Sequence, residues 1–270
     1  MTRWAGIDCG YSHLTVAILD EVGQTLDIGD ARLPHGNGHE RSVALARIQA
    51  VLPQLQRWRD RPVILAGYCY TDSGICDAFE AAGWQVVGDV ALNDVVGVYG
   101  LSQMQTHVVV CGCGSFSQLV YVDTQHNICW PSDTLAAELP EWPLCGESYA
   151  QFMQHAYGDT VANGLLSDTL NLLPTQQYLQ QAAQIIKATR DIFWRYSGMP
   201  TPPTLVLGGG AKRHAGLWQV VAHELATGDC AVERVMGEQA VGLAQFAMRH
   251  QTANVWSHIG DGPPQWLSAN

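Results

Sequence analysis

Lysine is nearly absent from this chain, occurring only at Lys187 and Lys212, and 25 Asp and Glu stand against 14 Lys and Arg for a net charge of -11. A protein that tracks a nucleic-acid backbone neutralises phosphates with a basic stripe, so nucleic acid is not an expected partner. An anionic ligand must instead be held by backbone N–H groups, helix ends or a metal ion. No stretch approaches the unbroken apolar run that spans a bilayer, and the first residues lack the basic and apolar regions of a secretory signal. No membrane partner and a cytoplasmic location are therefore expected. The eight cysteines, at positions 9, 69, 76, 111, 113, 129, 145 and 230, include no Cys-x-x-Cys and no regular spacing. That argues against a zinc site and against a disulfide framework, and makes most of them small buried residues in a reducing compartment. No repeat of 20–50 residues is visible, which excludes a solenoid.

What the chain does have is apolar segments of strand and helix length, punctuated by glycine. Its 270 residues lie near the upper limit for one hydrophobic core, leaving one large domain or two lobes of ordinary size. The opening stretch "WAGIDCGYSHLTVAILDEVGQ" predicts strands over 3–9 and 14–20, followed by a third over about 24–32. From Glu40 to Trp58 apolar residues recur at helical spacing (Val43, Leu45, Ile48, Val51, Leu55), which predicts one amphipathic helix. Then follow a buried strand "VILAG" (63–67), a helix over 72–82 capped by Asp72 or Ser73, and a strand over 84–88. "LNDVVGVYGL" predicts a helix to about 102, with Asn93 or Asp94 as its cap. This order of elements is that of an α/β lobe.

From His107 the order begins again: strand, glycine-rich turn, strand ending at Asp123 and third strand within 107–130. Helices over about 145–157 and 175–197, strand 203–207, helix 214–226, strand 230–234 and helix 237–249 complete it, and the tail after His250 has no period. The expectation is a two-lobed α/β protein of duplicated βββαβα units, with an N-terminal lobe over 1–105 and a C-terminal lobe over 106–270. His35, His39, His107 and His126 have no ligand spacing between them and are expected to be solvated loop or turn residues.

Three turns are rich in glycine: Asp8-Cys-Gly10-Tyr-Ser12-His13, Cys111-Gly112-Cys113-Gly114-Ser115 and Gly208-Gly209-Gly210-Ala211. Glycine admits positive φ and lets a ligand approach the backbone, and successive N–H groups there form an anion-binding concavity. Two such hairpin turns, from equivalent places in two lobes, fit a polyphosphate gripped from both sides. An acid beside phosphates is repelled unless Mg²⁺ lies between them, which gives Asp8 a role. On that turn alone, a tight hairpin shaped by Asp8 and Gly10 is an equally good account.

In their order and spacing the three turns resemble the sugar kinase, heat-shock 70 and actin superfamily of ATPases. "GIDCGYSHLTVAILD" is similar to its first phosphate motif, "VVVCGCGSFSQLVYVD" to the second and "LVLGGGAKRHAGLWQVVAHEL" to the adenosine motif. The resemblance runs from Trp4 to about Arg249 and implies the two-lobed actin-like (ribonuclease H-like) fold, with ATP and Mg²⁺ between the lobes. "DVALNDVVGVYGL" is similar to the Asn-Asp-Ala segment of the N-acetylglucosamine kinase and BadF/BadG group, in which the aspartate is the catalytic base. Asp94 holds the matching position.

The activity implied is transfer of the γ-phosphoryl group of ATP to a hydroxyl of a small carbohydrate, with an amino sugar among the candidates. Asp94 is the implied base and Asp8 the outer-shell Mg²⁺ acid, with Gly10, Ser12, His13, Gly112, Gly114 and Ser115 as the phosphate cradle. Gly208, Gly209, Gly210 and Lys212 then contact the adenosine, while Asn93 and Glu147 line the sugar side with Asp94. The chemistry suits an aspartate, because a sugar hydroxyl is a poor nucleophile and a carboxylate within reach orients it and accepts its proton. For Asp94 a helix cap is the plain alternative, as a surface helix start is for Glu147 and Lys212.

The first turn departs from the family's Asp-Gly-Gly-Gly/Ser-Thr-Lys/Arg: Tyr11 replaces a glycine and His13 a basic residue, leaving fewer permissive backbone positions. The zinc motif Glu-x-Gly-His of the ROK sugar kinases and the cluster cysteines of the dehydratase activators are both missing. Two rivals keep the fold and drop the sugar: an ATP-switched interaction module, such as a reactivating factor or filament former, and a non-catalytic relative. The oligomeric state is not written in the pattern, and a homodimer is the commonest assembly.

Overall fold

The computed structural model describes residues 2–10, 13–32, 40–67, 74–103, 105–113, 117–132, 135, 173–209, 222–223, 225, 231–250 and 256–259. Its described helices are α1 (Arg41–Val51), α2 (Ile75–Ala81), α3 (Asp94–Leu101), α4 (Leu173–Ser197) and α5 (Gln239–His250). The chain divides into two compact units, Met1–Met104 with Met236–Asn254 and Gln105–Val235 with Val255–Asn270.

In the first unit strand β1 (Arg3–Cys9) is buried along almost its whole length, so it needs neighbours on both edges and cover on both faces. It pairs antiparallel with β2 (Leu14–Leu19), which pairs antiparallel with β3 (Thr25–Ala31). On its other edge it runs parallel with β4 (Val63–Gly67), and β5 (Val86–Ala91) closes the order β3-β2-β1-β4-β5. Successive side chains alternate between faces. Ala5, Ile7 and Cys9 join Ala44, Ile48 and Val51 of α1 and Ile75 and Phe79 of α2 in one core. Gly6 points the other way, onto Ala240 of α5, and Asp8 shares that second face.

Glycine sets how closely this second layer packs. A methyl group at Gly6, Gly100 or Gly242 would overlap the carbonyl oxygens of Ala240, Gly242 and Gly97 respectively, and one at Gly97 would stand 2.6 Å from that of Gln239. Helices α3 and α5 therefore touch backbone to backbone above β1.

In two places the first unit departs from the pattern. The helix expected through Trp58 stops at Val51 and continues as a 3₁₀ segment over Leu52–Trp58, because Pro53 has no N–H and its ring crowds the preceding turn. Gln54 of that segment then pairs its amide with the backbone N–H (3.4 Å) and carbonyl (3.2 Å) of Asp30, which blunts the open edge of β3. Strand β5 starts at Val86 rather than at residue 84, because the backbone N–H of Trp84 bonds the Phe79 carbonyl at 3.0 Å and its ring packs edge-on against Phe79. Gly74, left-handed at φ 73, precedes α2, and the expected caps Asp72 and Ser73 lie outside the described residues.

The second unit is built on strands β6 (Val108–Cys113), β7 (Ser117–Val122), β8 (Ile128–Pro131), β9 (Thr204–Gly208), β10 (Val232–Arg234) and β11 (Trp256–Ile259). Its order is β10-β9-β6-β7-β8-β11. The antiparallel meander β6-β7-β8 and the parallel partner β9 repeat the arrangement of β1-β2-β3 and β4. Strand β11 lies in the tail that shows no period, and it runs parallel to β8. His107, expected as a solvated residue, instead ties this unit together: with φ at 56 it reaches the Tyr121 hydroxyl (2.9 Å) and the Thr201 carbonyl (2.6 Å). The carbonyl can only accept, so Nε2 carries a proton. The expected helix over 145–157 and most of that over 214–226 lie outside the described residues. No described helix is long and apolar enough to cross a membrane.

Candidate active site

Asp8 is the penultimate residue of β1, buried to 4 % exposure on the face covered by α5. Its cross-strand partner is Thr15, whose hydroxyl donates to Asp30 Oδ1 at 2.9 Å, so a polar row runs across three strands. The turn after β1 is closed by Gly10 N–H donating to the His13 carbonyl at 3.0 Å. The His13 ring lies against Gly10, where an added Cβ would be 3.2 Å from Cε1, and its Nε2 stands 3.4 Å from Asp8 Oδ2. Under the turn, Arg47 of α1 donates through Nη1 to the carbonyls of Gly10 (2.7 Å) and His13 (3.3 Å).

Asp94 enters from α3. Asn93, not Asp94, caps this helix: its side-chain oxygen accepts from Val95 N–H at 3.0 Å. Asp94 is thereby freed from capping and occupies the first helical position, its own carbonyl held by Gln239 Nε2 of α5 at 3.1 Å. The residue is half-buried, but Oδ1 is sealed from solvent and has no hydrogen-bond partner among the described residues. Burial, and then the negative charge of nearby Asp8, push its carboxyl up to about 7. Replacing Asn93 by alanine removes the cap and is expected to cost about 1 kcal/mol, read as a lower urea midpoint; an unchanged midpoint would remove the cap from this account.

Asp8, a buried carboxylate near the carboxyl end of β1, is a group of the kind that serves a hard cation. Among the described residues no group of three or more His, Cys, Asp or Glu could hold a metal ion by itself. Mg²⁺ keeps several waters and takes only one or two carboxylates, so a single acid in the place of Asp8 fits it. Among the described cysteines, Cys9, Cys111 and Cys129 are buried and Cys76 is half-buried.

In the second unit Gly112, near the end of β6, is the register partner of Gly208 at the end of β9. Gly209 follows, buried and at φ 101, a conformation that side chains rarely adopt. The turns expected to meet phosphate and adenosine thus leave neighbouring parallel strands at their carboxyl ends, where open α/β sheets bind ligands. Ser12, Gly114, Ser115, Gly210, Lys212 and Glu147 lie outside the described residues. The pattern did not single out Arg47 or Gln239, although a charged residue at the helical spacing Val43, Arg47, Val51 was a readable signal.

No protein-family model matches the chain, and no curated protein matches it in sequence. Solved structures do match its fold. A ROK family glucokinase from Streptomyces griseus, in complex with glucose and AMPPNP, is 14% identical over 91% of this chain and 98% of its own, with a TM-score of 0.60. The ethanolamine utilization protein EutJ from Carboxydothermus hydrogenoformans is 13% identical over 90% of this chain and 88% of its own, with a TM-score of 0.59. An inorganic polyphosphate/ATP-glucomannokinase from Arthrobacter sp. strain KM is 13% identical over 93% of this chain and all of its own (100%), with a TM-score of 0.54. The chain therefore shares the α/β fold of these solved structures, the fold that its glycine turns implied.

Proposed function

We propose that the protein is an ATP-dependent kinase of a small carbohydrate, with an amino sugar among the acceptors. The observation that carries the reading is Asp94: a carboxyl released from capping, pushed up to about 7 and set beside Asp8, on a fold shared with glucokinase and glucomannokinase. A base is most effective when its pKa lies near the working pH. In the proposed step the sugar hydroxyl oxygen bonds to the γ-phosphorus as the bond from that phosphorus to the bridging oxygen of ADP breaks. The hydroxyl proton passes to the Asp94 carboxylate.

Asp8 is the outer-shell acid for Mg²⁺, which when bound neutralises charge on the β- and γ-phosphates. Gly10, Ser12 and His13 of the first unit, and Gly112, Gly114 and Ser115 of the second, are the phosphate-contacting positions of this reading. Gly208, Gly209, Gly210 and Lys212 are its adenosine positions, and Asn93 and Glu147 its remaining sugar positions. The cytoplasm, where ATP is supplied, is the proposed location, and a homodimer the proposed assembly.

The test is ATP consumption with Mg²⁺ across a panel of sugars and amino sugars. The reading expects one acceptor class to stimulate turnover well above the rate without sugar. A second reading, an ATP-switched interaction module, is favoured by the likeness to EutJ, an ethanolamine utilization protein. It expects ATP turnover that no sugar changes.

A further inference from the structure

Arg47 has 0% exposure, the largest of the fully buried side chains among the described residues, in the row of α1 that otherwise presents Val43 and Val51 to the core. Burying a guanidinium is costly unless its donors are used, and an aliphatic residue would fill the row at no such cost. The visible use is the turn after β1, where one nitrogen, Nη1, holds the carbonyls of Gly10 and His13 at 2.7 and 3.3 Å. Gly10 and His13 are also joined by the 3.0 Å backbone bond that closes the turn, so both ends are fixed from the α1 side.

The guanidinium also stays protonated and sets a positive charge beneath a turn whose own basic position is taken by His13.

We propose that Arg47 is a positioning residue of the phosphate turn: by fixing the carbonyls of Gly10 and His13 it holds the two ends of the turn in the form that meets the phosphates of a nucleotide. The inference rests on the reading of this turn as a phosphate contact. Arg47 meets the phosphates only through the backbone it orders. A position that served packing alone would affect every part of the nucleotide alike, whereas this one acts on the phosphates and not on the nucleoside.

The experiment is calorimetric binding of MgATP and of adenosine to the whole chain, for the wild type, Arg47→Lys and Arg47→Met. Arg47→Met is expected to weaken MgATP binding about tenfold or more, the scale of a lost charge-assisted hydrogen bond, and to leave adenosine within about twofold. Arg47→Lys keeps the charge on a shorter reach and is expected to recover most of the loss, remaining about threefold weak. A folded Arg47→Met that binds MgATP as tightly as wild type, or that loses adenosine in the same proportion, overturns the proposal. Should Arg47→Met not fold, Arg47→Lys decides: an MgATP-to-adenosine ratio equal to that of wild type overturns it. Wild-type protein that binds neither MgATP nor adenosine overturns the nucleotide reading itself, and with it this inference.

Discussion

Asp94→Asn is expected to lower turnover by about three orders of magnitude, within the range that a positioned base contributes, while MgATP still binds. Asparagine keeps the shape and cannot take the proton. The same side chain sets the pH dependence. Its carboxyl titrates near 7, so kcat/KM is expected to rise with pH through about 7 and to flatten above, because only the ionised form accepts the hydroxyl proton. In Asp94→Asn the residual rate should lose that limb. Asp8→Asn removes the second cause of the shift, and any limb that survives should move to lower pH. A rate that is flat between pH 5 and 9 in the wild type would contradict the assignment.

Stability should show the opposite trend. A carboxyl whose folded pKa is raised binds its proton more tightly in the folded state than in the unfolded one. Its favourable contribution is complete below the unfolded value of 3.8 and is lost as pH rises through about 7. Asp94→Asn should therefore be more stable than wild type at pH 8, and the two should converge near pH 4. Denaturant midpoints at the two pH values check this, and a mutant less stable at pH 8 would show that the carboxylate is well accommodated.

Gly242→Ala is the second large expected effect, a destabilisation of about 3 kcal/mol. In the middle of a helix, exchanging glycine for alanine ordinarily stabilises by about 1 kcal/mol. Here the added methyl runs into the backbone carbonyl of Gly97, which cannot rotate away as a side chain would, so α5 must lift from α3. Asp94 opens α3 and its carbonyl is tied to Gln239 of α5, so activity should fall along with stability. Gly88→Ala is the control: among the described residues its methyl would meet only Ile64 Cγ2, at 4.0 Å, and the change should be close to neutral. A neutral Gly242→Ala would mean that the two helices are not in backbone contact.

Much of the first unit could be read from local pattern, because β1, β2, β3 and β4 carry their own signals of burial and turn chemistry. The second unit's β6 and β9 could be read for the same reason. The helix 239–250 also declared itself by spacing, but its position against β1 and α3 did not, since that is fixed by Gly6, Gly97, Gly100 and Gly242, whose role shows only once the partners meet. The end of α1 was legible in Pro53 and was outweighed by the apolar spacing that continues to Leu55. Strand β11 has a neighbour, β8, 125 residues or more away in sequence, and no alternation of its own to announce it.

In the site, Asp8 and Asp94 stood out as acids near turns, but their mutual repulsion depends on a three-dimensional approach that spacing does not encode. Which of Asn93 and Asp94 caps α3 was likewise undecided by sequence, because both residue types cap well, and the 3.0 Å bond from Val95 N–H decides for Asn93.

The most direct measurement is the mass of the product formed from MgATP and each member of the sugar panel, for wild type beside Asp94→Asn. The account predicts a sugar phosphate, formed in step with ADP by the wild type and lost in the mutant. ADP and free phosphate with no sugar phosphate, at the same rate in both proteins, would contradict it.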